Sequence, residues 1–181
     1  LLQTVRPDAA RILGQVESSG VVVVHRYGRA GGQDLPAGFG MLIAPDHPRS
    51  TLGILFASRQ FPHRLPGPDA WCLASFHPLE DGEERSRGAW AELAAEQTAS
   101  LLDFHQAAIG AEVQVMPRAI PVLEPGHLER IQKAQDFLPV IDGLVLAGSY
   151  LRGVSLECAV ESGEQAARVL MKTESITKEV A

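Results

Sequence analysis

A cluster of glycine and serine residues follows a short apolar segment near the C-terminal end of the chain. Leu144–Ala147 predicts a buried strand, Gly148 and Ser149 predict a turn, and Val154–Lys172 predicts a helix. A helix N-terminus favours anions and glycine lets a ligand approach the backbone, so this order of elements is typical of a phosphate or cofactor contact. This segment would form the closing half of a dinucleotide site. The opening half is missing, because no G-x-G-x-x-G motif occurs in the 181 residues.

The histidines and cysteines show no spacing typical of a metal site. His127 follows Gly126 at the start of a predicted helix, where it could act as an acid or base; we favour capping or packing of the helix end. Cys72 and Cys158 are far apart in the sequence, and we interpret them as buried thiols. The other histidines are scattered along the chain and predict no metal ligands: His25, His47, His63, His77 and His105.

Glu157 and Glu161 lie one turn apart in the last predicted helix. Paired carboxylates can act as acid and base, but acidic side chains in the first turns of a helix also stabilise its dipole, and we favour that interpretation. The sequence therefore singles out no catalytic side chain.

The composition is that of a globular protein with an acidic balance. Hydrophobic residues make up 45% of the chain, and 22 acidic against 16 basic residues give a net charge of −6. Without a basic block, we expect no nucleic-acid partner. Two cysteines predict a reducing compartment, either the cytoplasm or, with peripheral association, the cytoplasmic face of a membrane. Because the chain begins at Leu1 and not at methionine, we expect the C-terminal portion of a longer protein.

The apolar patterns predict an α+β protein, with an antiparallel sheet, helices on one face, and a C-terminal β-α unit. A short apolar strand needs neighbouring strands and covering helices, so we expect this unit to complete a parallel sheet formed by another segment. The other predicted strands are Gly20–Tyr27, Phe39–Ala44, Thr51–Ser58, Ala70–Phe76 and Glu112–Arg118, and the other predicted helices are Pro7–Glu17, Gly88–Ile109 and Leu128–Phe137.

Five motifs follow one another in a characteristic order. They are Gly38-Phe-Gly-Met-Leu-Ile-Ala-Pro, Leu52-Gly-Ile-Leu-Phe-Ala-Ser, Phe61-Pro-His-Arg, Ile120-Pro with Gly126-His-Leu-Glu-Arg, and the run from Gly143 to Gly163. Over residues 18 to 170 the chain resembles the protoporphyrinogen oxidases, which belong to the flavin-containing amine oxidase superfamily. A single motif would be weak evidence, whereas an ordered set is specific.

The resemblance implies an FAD-dependent oxidoreductase of haem biosynthesis. Such an enzyme removes hydrogens from protoporphyrinogen or coproporphyrinogen and passes electrons to dioxygen or another acceptor. The flavin carries this chemistry and the protein positions the substrate, so no acid or base is required. The family's N-terminal half holds the G-x-G-x-x-G motif, and it would be a necessary partner on the same or another chain.

The resemblance also assigns the cofactor contacts, which belong to a Rossmann-like FAD-binding domain. Gly148, Ser149 and Tyr150, the first group, would line the FAD where the predicted strand ends. Gly153, Val154 and Ser155, the second group, would present helix N-terminal N–H groups to the flavin ring or its phosphates.

The substrate contacts implied by the resemblance lie on three predicted strands. Leu42, Leu55 and Phe76 would sandwich the tetrapyrrole in an apolar slot. Arg59 and Arg64 flank Phe61-Pro62 in a loop, where they either contact a substrate propionate or lie on a solvated surface, and we favour the surface.

Two other functions stay open. A related FAD amine oxidase or desaturase would share the superfamily, although the hairpin motifs look more like the porphyrinogen branch. A module without flavin that binds a tetrapyrrole or another protein would account for the lack of a G-x-G-x-x-G motif. On the leading interpretation, residues 1–118 are a portion of the substrate-binding domain and residues 119–181 return to the FAD-binding domain.

Overall fold

The computed structural model describes residues 2–47, 50–138 and 143–179. The chain forms two compact units, one of Ser19–Ala119 and one that joins Leu1–Ser18 with Ile120–Ala181. The division into residues 1–118 and 119–181 concerns the domains of the family and stays a prediction. The helices are α1 (Leu2–Val5), α2 (Pro7–Leu13), α3 (Ala57–Gln60), α4 (Arg87–Leu102), α5 (His127–Asp136) and α6 (Leu156–Glu179), and the strands are β1 (Ser18–Arg29), β2 (Gly40–Leu42), β3 (Gly53–Leu55), β4 (Ala70–Leu79) and β5 (Gly110–Pro121).

The five strands form one sheet in the order β2-β3-β4-β1-β5. The pairs β1–β4, β3–β4 and β2–β3 are antiparallel, which confirms the predicted sheet. The sequence of β1 explains its inner position, since Val21, Val22, Val23 and Val24 are all buried. Consecutive valines point to opposite faces, so only a strand that is covered on both faces accommodates them.

Helix α4 packs against one face of the sheet, which we term the helix face. Val22 and Val24 of β1 form a buried cluster there with Trp90 and Ala94 of α4. Burial of each large apolar side chain contributes about 1.5–3 kcal/mol to the free energy of unfolding. Packing against the sheet therefore stabilises α4 more than the intrinsic helix propensity of its residues does. The opposite face, which we term the groove face, carries the alternate side chains, and Val23 lies there in a second cluster.

The ends of α4 are defined by local hydrogen bonding. Ser86 caps the helix, because its Oγ accepts the N–H of Ala89 at 3.1 Å. Asp103 adopts a left-handed conformation with φ of 50° and terminates the helix. The predicted extension to Ile109 was therefore wrong.

The predicted hairpin is present, but its second strand is shorter than expected. Strand β3 ends at Leu55, and α3 replaces the end of the strand predicted over Thr51–Ser58. The reason is a local turn, in which the N–H of Gln60 donates to the carbonyl of Phe56. The side chain of Phe56 is buried in the core on the helix face.

The second unit is helical in its described part. Helix α2 packs against α5, and both bury small or aliphatic side chains: Ala9, Ile12, Ile131 and Ala134. Leu144–Ala147 forms no strand, which corrects the predicted β-α unit, since strand formation needs a hydrogen-bonded neighbour and none of the described residues supplies one. None of the described helices has the length and apolar composition needed to cross a bilayer.

His77 on β4 is a fully buried histidine beside Trp90. Its Nε2 lies 3.0 Å from Ser75 Oγ, and the two ring centroids are 5.7 Å apart. Burial, assisted by the charge of Arg85, lowers the pKa of His77 from 6.5 to about 4. The folded chain therefore holds this imidazole neutral at pH values at which the unfolded chain protonates it.

We expect the stability of the first unit to fall as the pH falls from 6.5 to about 4. In that window the unfolded state binds a proton at His77 and the folded state does not, so the free energy of unfolding decreases, by on the order of 2–3 kcal/mol. Urea unfolding followed by tryptophan fluorescence measures this, since Trp71 and Trp90 both lie in the first unit.

His77→Gln removes the titration and should flatten that part of the pH profile. The exposed His63, replaced by Gln, is the matched control and should keep the wild-type profile. Equal pH profiles for the wild type and His77→Gln would contradict the assignment.

Candidate functional site

The predicted cofactor segment forms a tight turn just before α6. Gly148 has a φ of 145°, and a short 3-10 helix follows over Ser149–Leu151. The N–H of Gly153 then donates to the carbonyl of Ser149 at 3.1 Å. The structure thus brings the first predicted group of cofactor residues next to the second, although no strand precedes them.

Ser155 caps the N-terminus of α6. Its Oγ accepts the N–H of Cys158 at 3.1 Å, so the helix begins at Leu156. The N–H groups of Leu156 and Glu157 belong to the first turn, where a helix offers no internal acceptor, and they are positioned for an external one. Two apolar side chains are exposed at this end, Val154 at 50% and Leu156 at 88%.

Gly148 is held in place from α6. Its N–H donates to Ser162 Oγ at 3.0 Å. Sequence reasoning missed Ser162, although its position seven residues after Ser155 places both on one face of a helix, and that spacing was the available signal. This hydrogen bond fixes the start of the turn to the second turn of α6.

His127 holds the same segment from the other side. It is 3% exposed, and its Nε2–H donates to the carbonyl oxygen of Tyr150 at 2.6 Å. The burial of this side chain agrees with the preference for a packing role, whereas its role in catalysis stays a prediction. The histidine joins the start of α5 to the turn.

Tyr150 explains why glycine stands at position 148. A Cβ added to Gly148 would lie 2.6 Å from the Tyr150 ring, and the positive φ is strained for other residues. Burial raises the pKa of the Tyr150 hydroxyl above its ordinary value.

The three predicted substrate contacts come together on the groove face of the first unit. Leu42, Leu55 and Phe76 line one shallow groove of about 260 Å³. Pairing explains this, because Gly53 lies opposite both Leu42 and Phe76, while Leu55 pairs with Ala74 two residues away on β4. Leu42 is 90% exposed, so a large apolar side chain faces outward.

Sequence reasoning missed one other large residue of this groove. Phe39, which is 69% exposed, also lines it. The signal was present in the Gly-Phe-Gly motif, but an irregular segment before β2 gives no periodicity from which to assign a face.

The two arginines near the end of α3 differ in their contacts. Arg59, in the last turn of α3, donates from Nη2 to the carbonyl of Leu35 at 2.6 Å and thereby ties the helix to the loop that precedes β2. Arg64 lies over the ring of Phe61, with its guanidinium carbon 4.4 Å from the centroid. No group of three or more metal-ligating side chains is found in the described parts of the chain.

Comparison with known proteins relates this arrangement to one group of enzymes. The chain is 30% identical to the protoporphyrinogen oxidase of Bos taurus over 96% of its own length and 38% of the relative. Identity is 28% to the Homo sapiens enzyme with the same coverage, and 31% to the chloroplastic enzyme of Oryza sativa subsp. japonica over 72% of this chain and 25% of the relative. The chain is homologous to protoporphyrinogen oxidases. It spans less than half the length of these protoporphyrinogen oxidases.

Solved structures agree with this relationship at the level of the fold. A candidate protoporphyrinogen oxidase from Exiguobacterium sp. 255-15 superposes with a TM-score of 0.74 at 20% identity, covering 98% of this chain and 39% of that one. A reduced UDP-galactopyranose mutase gives a TM-score of 0.69 at 14% identity, over 88% of this chain and 35% of that one. No family model matches the chain.

We expect His127→Ala to loosen the turn over residues 148–153. Loss of the hydrogen bond to Tyr150 leaves a partly buried carbonyl without its donor, at a cost of about 1 kcal/mol. Hydrogen–deuterium exchange of a peptide that contains Leu151 and Gly153 should become faster, since both N–H groups bond within this turn.

Gln132→Ala on the exposed side of α5 is the matched control and should leave that peptide unchanged. Unchanged exchange in His127→Ala would show that His127 does not hold the turn.

Proposed function

We propose that the protein forms the substrate groove and part of the flavin site of an FAD-dependent oxidase that converts protoporphyrinogen or coproporphyrinogen to the porphyrin. The observation that carries this proposal is the homology to protoporphyrinogen oxidases over 96% of the chain. Because the chain spans 38% of that relative, the activity belongs to the complete enzyme, to which this chain would contribute the two features argued below.

The groove has the chemistry that a porphyrinogen needs. A reduced tetrapyrrole is large, flexible and mostly apolar, so it binds best to an apolar slot with few polar groups. Leu42, Leu55 and Phe76 supply such a surface, with Phe39 at its rim. Their role is to bind and orient the ring, since positioning accounts for much of the rate of such a transfer.

The turn before α6 fits a flavin nucleotide. The N-terminus of α6 offers N–H groups of its first turn to an anion or a ring carbonyl, while Val154 and Leu156 offer apolar contact to a ring face. The bound FAD would accept the hydrogens removed from the porphyrinogen. Gly148, Ser149, Tyr150, Gly153, Val154 and Ser155 would form the chain's contribution to this site.

The remaining partners follow from the same relationship. Electrons would pass to dioxygen or another acceptor, and a dinucleotide-binding half with a Rossmann-like sheet would complete the FAD site. We propose a cytoplasmic location or peripheral association with a membrane. A related amine oxidase or desaturase is not favoured, because the curated relatives named above are protoporphyrinogen oxidases.

We expect Leu42→Asp to raise the KM for protoporphyrinogen about tenfold or more in the complete enzyme. Leu42 is 90% exposed, so the change leaves the fold intact while it places a charge in the apolar groove. Steady-state turnover with dioxygen present as the electron acceptor, followed by the fluorescence of the porphyrin formed at a series of porphyrinogen concentrations, gives the KM.

Leu52→Asp is the matched control, because Leu52 is about half exposed in the same hairpin but does not line the groove. An equal KM for Leu42→Asp and the wild type would place the substrate elsewhere. An enzyme that oxidises no porphyrinogen would reject the proposed function.

We expect Gly153→Ala to lower the flavin content of the purified complete enzyme. The added Cβ would lie 2.6 Å from Cys158 Sγ, so either the thiol or the start of α6 must move. Gly163→Ala, in the same helix, meets nothing within 4 Å and is the control. Flavin absorbance per polypeptide is the measurement, and full flavin content in Gly153→Ala would argue against this turn as a flavin contact.

A further inference from the structure

The groove face extends beyond the apolar groove along β1 and β4. Because side chains alternate, the antiparallel register places every second pair on this face. After Phe76 and Val23 come the pairs Ala74–His25, Cys72–Tyr27 and Ala70–Arg29. The face is thus apolar at the groove and becomes polar toward the end of β1.

A second cavity of about 400 Å³ lies at that polar end. Tyr27, Arg29 and Cys72 line it from the sheet, and Arg64 and Asp69 line it from the loop between α3 and β4. We term this cavity the basic end. The apolar groove, in contrast, has no ionisable side chain in its lining.

The charges at the basic end do not cancel. Arg29 forms an ion pair with Asp69, with Nη1 and Oδ2 2.9 Å apart. Arg64 forms no ion pair with a described residue and lies over the Phe61 ring. Stacking on an aromatic ring orients a guanidinium and leaves its N–H edge able to bind a carboxylate. The positive charge of Arg64 is therefore available to bind a ligand carboxylate.

The spacing of the two cavities suits a single ligand. Phe76 of the groove and Cys72 of the basic end are four residues apart on β4, or roughly 13 Å along an extended strand. An amphipathic ligand with an apolar ring system and flexible carboxylate arms would place the ring over Leu55 and Phe76 and an arm at Arg64. Propionate side chains of a tetrapyrrole have this chemistry.

We propose that the basic end binds a propionate carboxylate of the tetrapyrrole, and that Arg64 sets the preference for substrates that carry a free carboxylate. This inference rests on the proposed function and adds the residue that recognises the polar edge of the substrate. It revises the interpretation of Arg64 as a solvated surface residue. Arg64 acts in binding, so the effect falls on KM and on affinity, with kcat unchanged.

Equilibrium binding of the product to the complete enzyme tests the proposal without turnover. Protoporphyrin keeps the two propionates, whereas its dimethyl ester has the same ring without the charges. The wild type should bind the diacid roughly three- to tenfold more tightly than the ester, and the preference should shrink as salt is added, as expected for a partly exposed ion pair. Porphyrin fluorescence gives both affinities.

Three variants separate charge recognition from a structural role. Arg64→Gln should abolish the preference through weaker binding of the diacid, with the ester affinity unchanged, and Arg64→Lys should restore part of it. Arg87→Gln removes the same charge from the first turn of α4, on the helix face, and should keep the full preference.

Equal binding of diacid and ester by the wild type would overturn the proposal, as would a preference that Arg64→Gln leaves intact. In both cases the apolar groove and the proposed function survive. If neither porphyrin binds and no porphyrinogen is oxidised, the proposed function fails as well.

Discussion

The packing of α4 against one face of the sheet determines what the rest of the first unit can do. Trp90 and Ala94 bury Val22 and Val24, and this commits one set of alternating side chains to the core. The other set, with Leu55 and Phe76, is then left to form the groove face. A shift of β1 by one residue would exchange the two sets, so the core packing and the ligand surface are specified by the same register.

The second unit holds an irregular turn in one conformation. Backbone groups outside helices and strands need specific partners, and here side chains supply them from two helices. His127 of α5 donates to the carbonyl of Tyr150, and Ser162 of α6 accepts the N–H of Gly148. The turn and the capped start of α6 therefore present their glycines and N–H groups from a defined backbone, which is the preorganisation that cofactor contacts require.

Much of the fold could be predicted because strong local patterns agree with it. The strand predicted over Gly20–Tyr27, with its four consecutive valines, lies within β1, and His127–Asp136 matches the predicted helix closely. The predictions failed where tertiary partners decide the outcome. Leu144–Ala147 has the composition of a strand but pairs with no described strand, and α4 stops at Asp103 because one residue takes a left-handed conformation.

The sequence by itself determined the chemical types available: an ordered set of motifs that points to one family, a glycine-rich turn before a helix, and apolar strands. Only the tertiary structure decided which of these residues meet. Leu42, Leu55 and Phe76 share a groove because pairing sets neighbouring strands about 5 Å apart and places Leu42 and Phe76 on either side of Gly53 in β3. Arg64 lines the cavity at the end of the same face because the loop after α3 returns toward β1, a contact between residues far apart in sequence that no local pattern encodes.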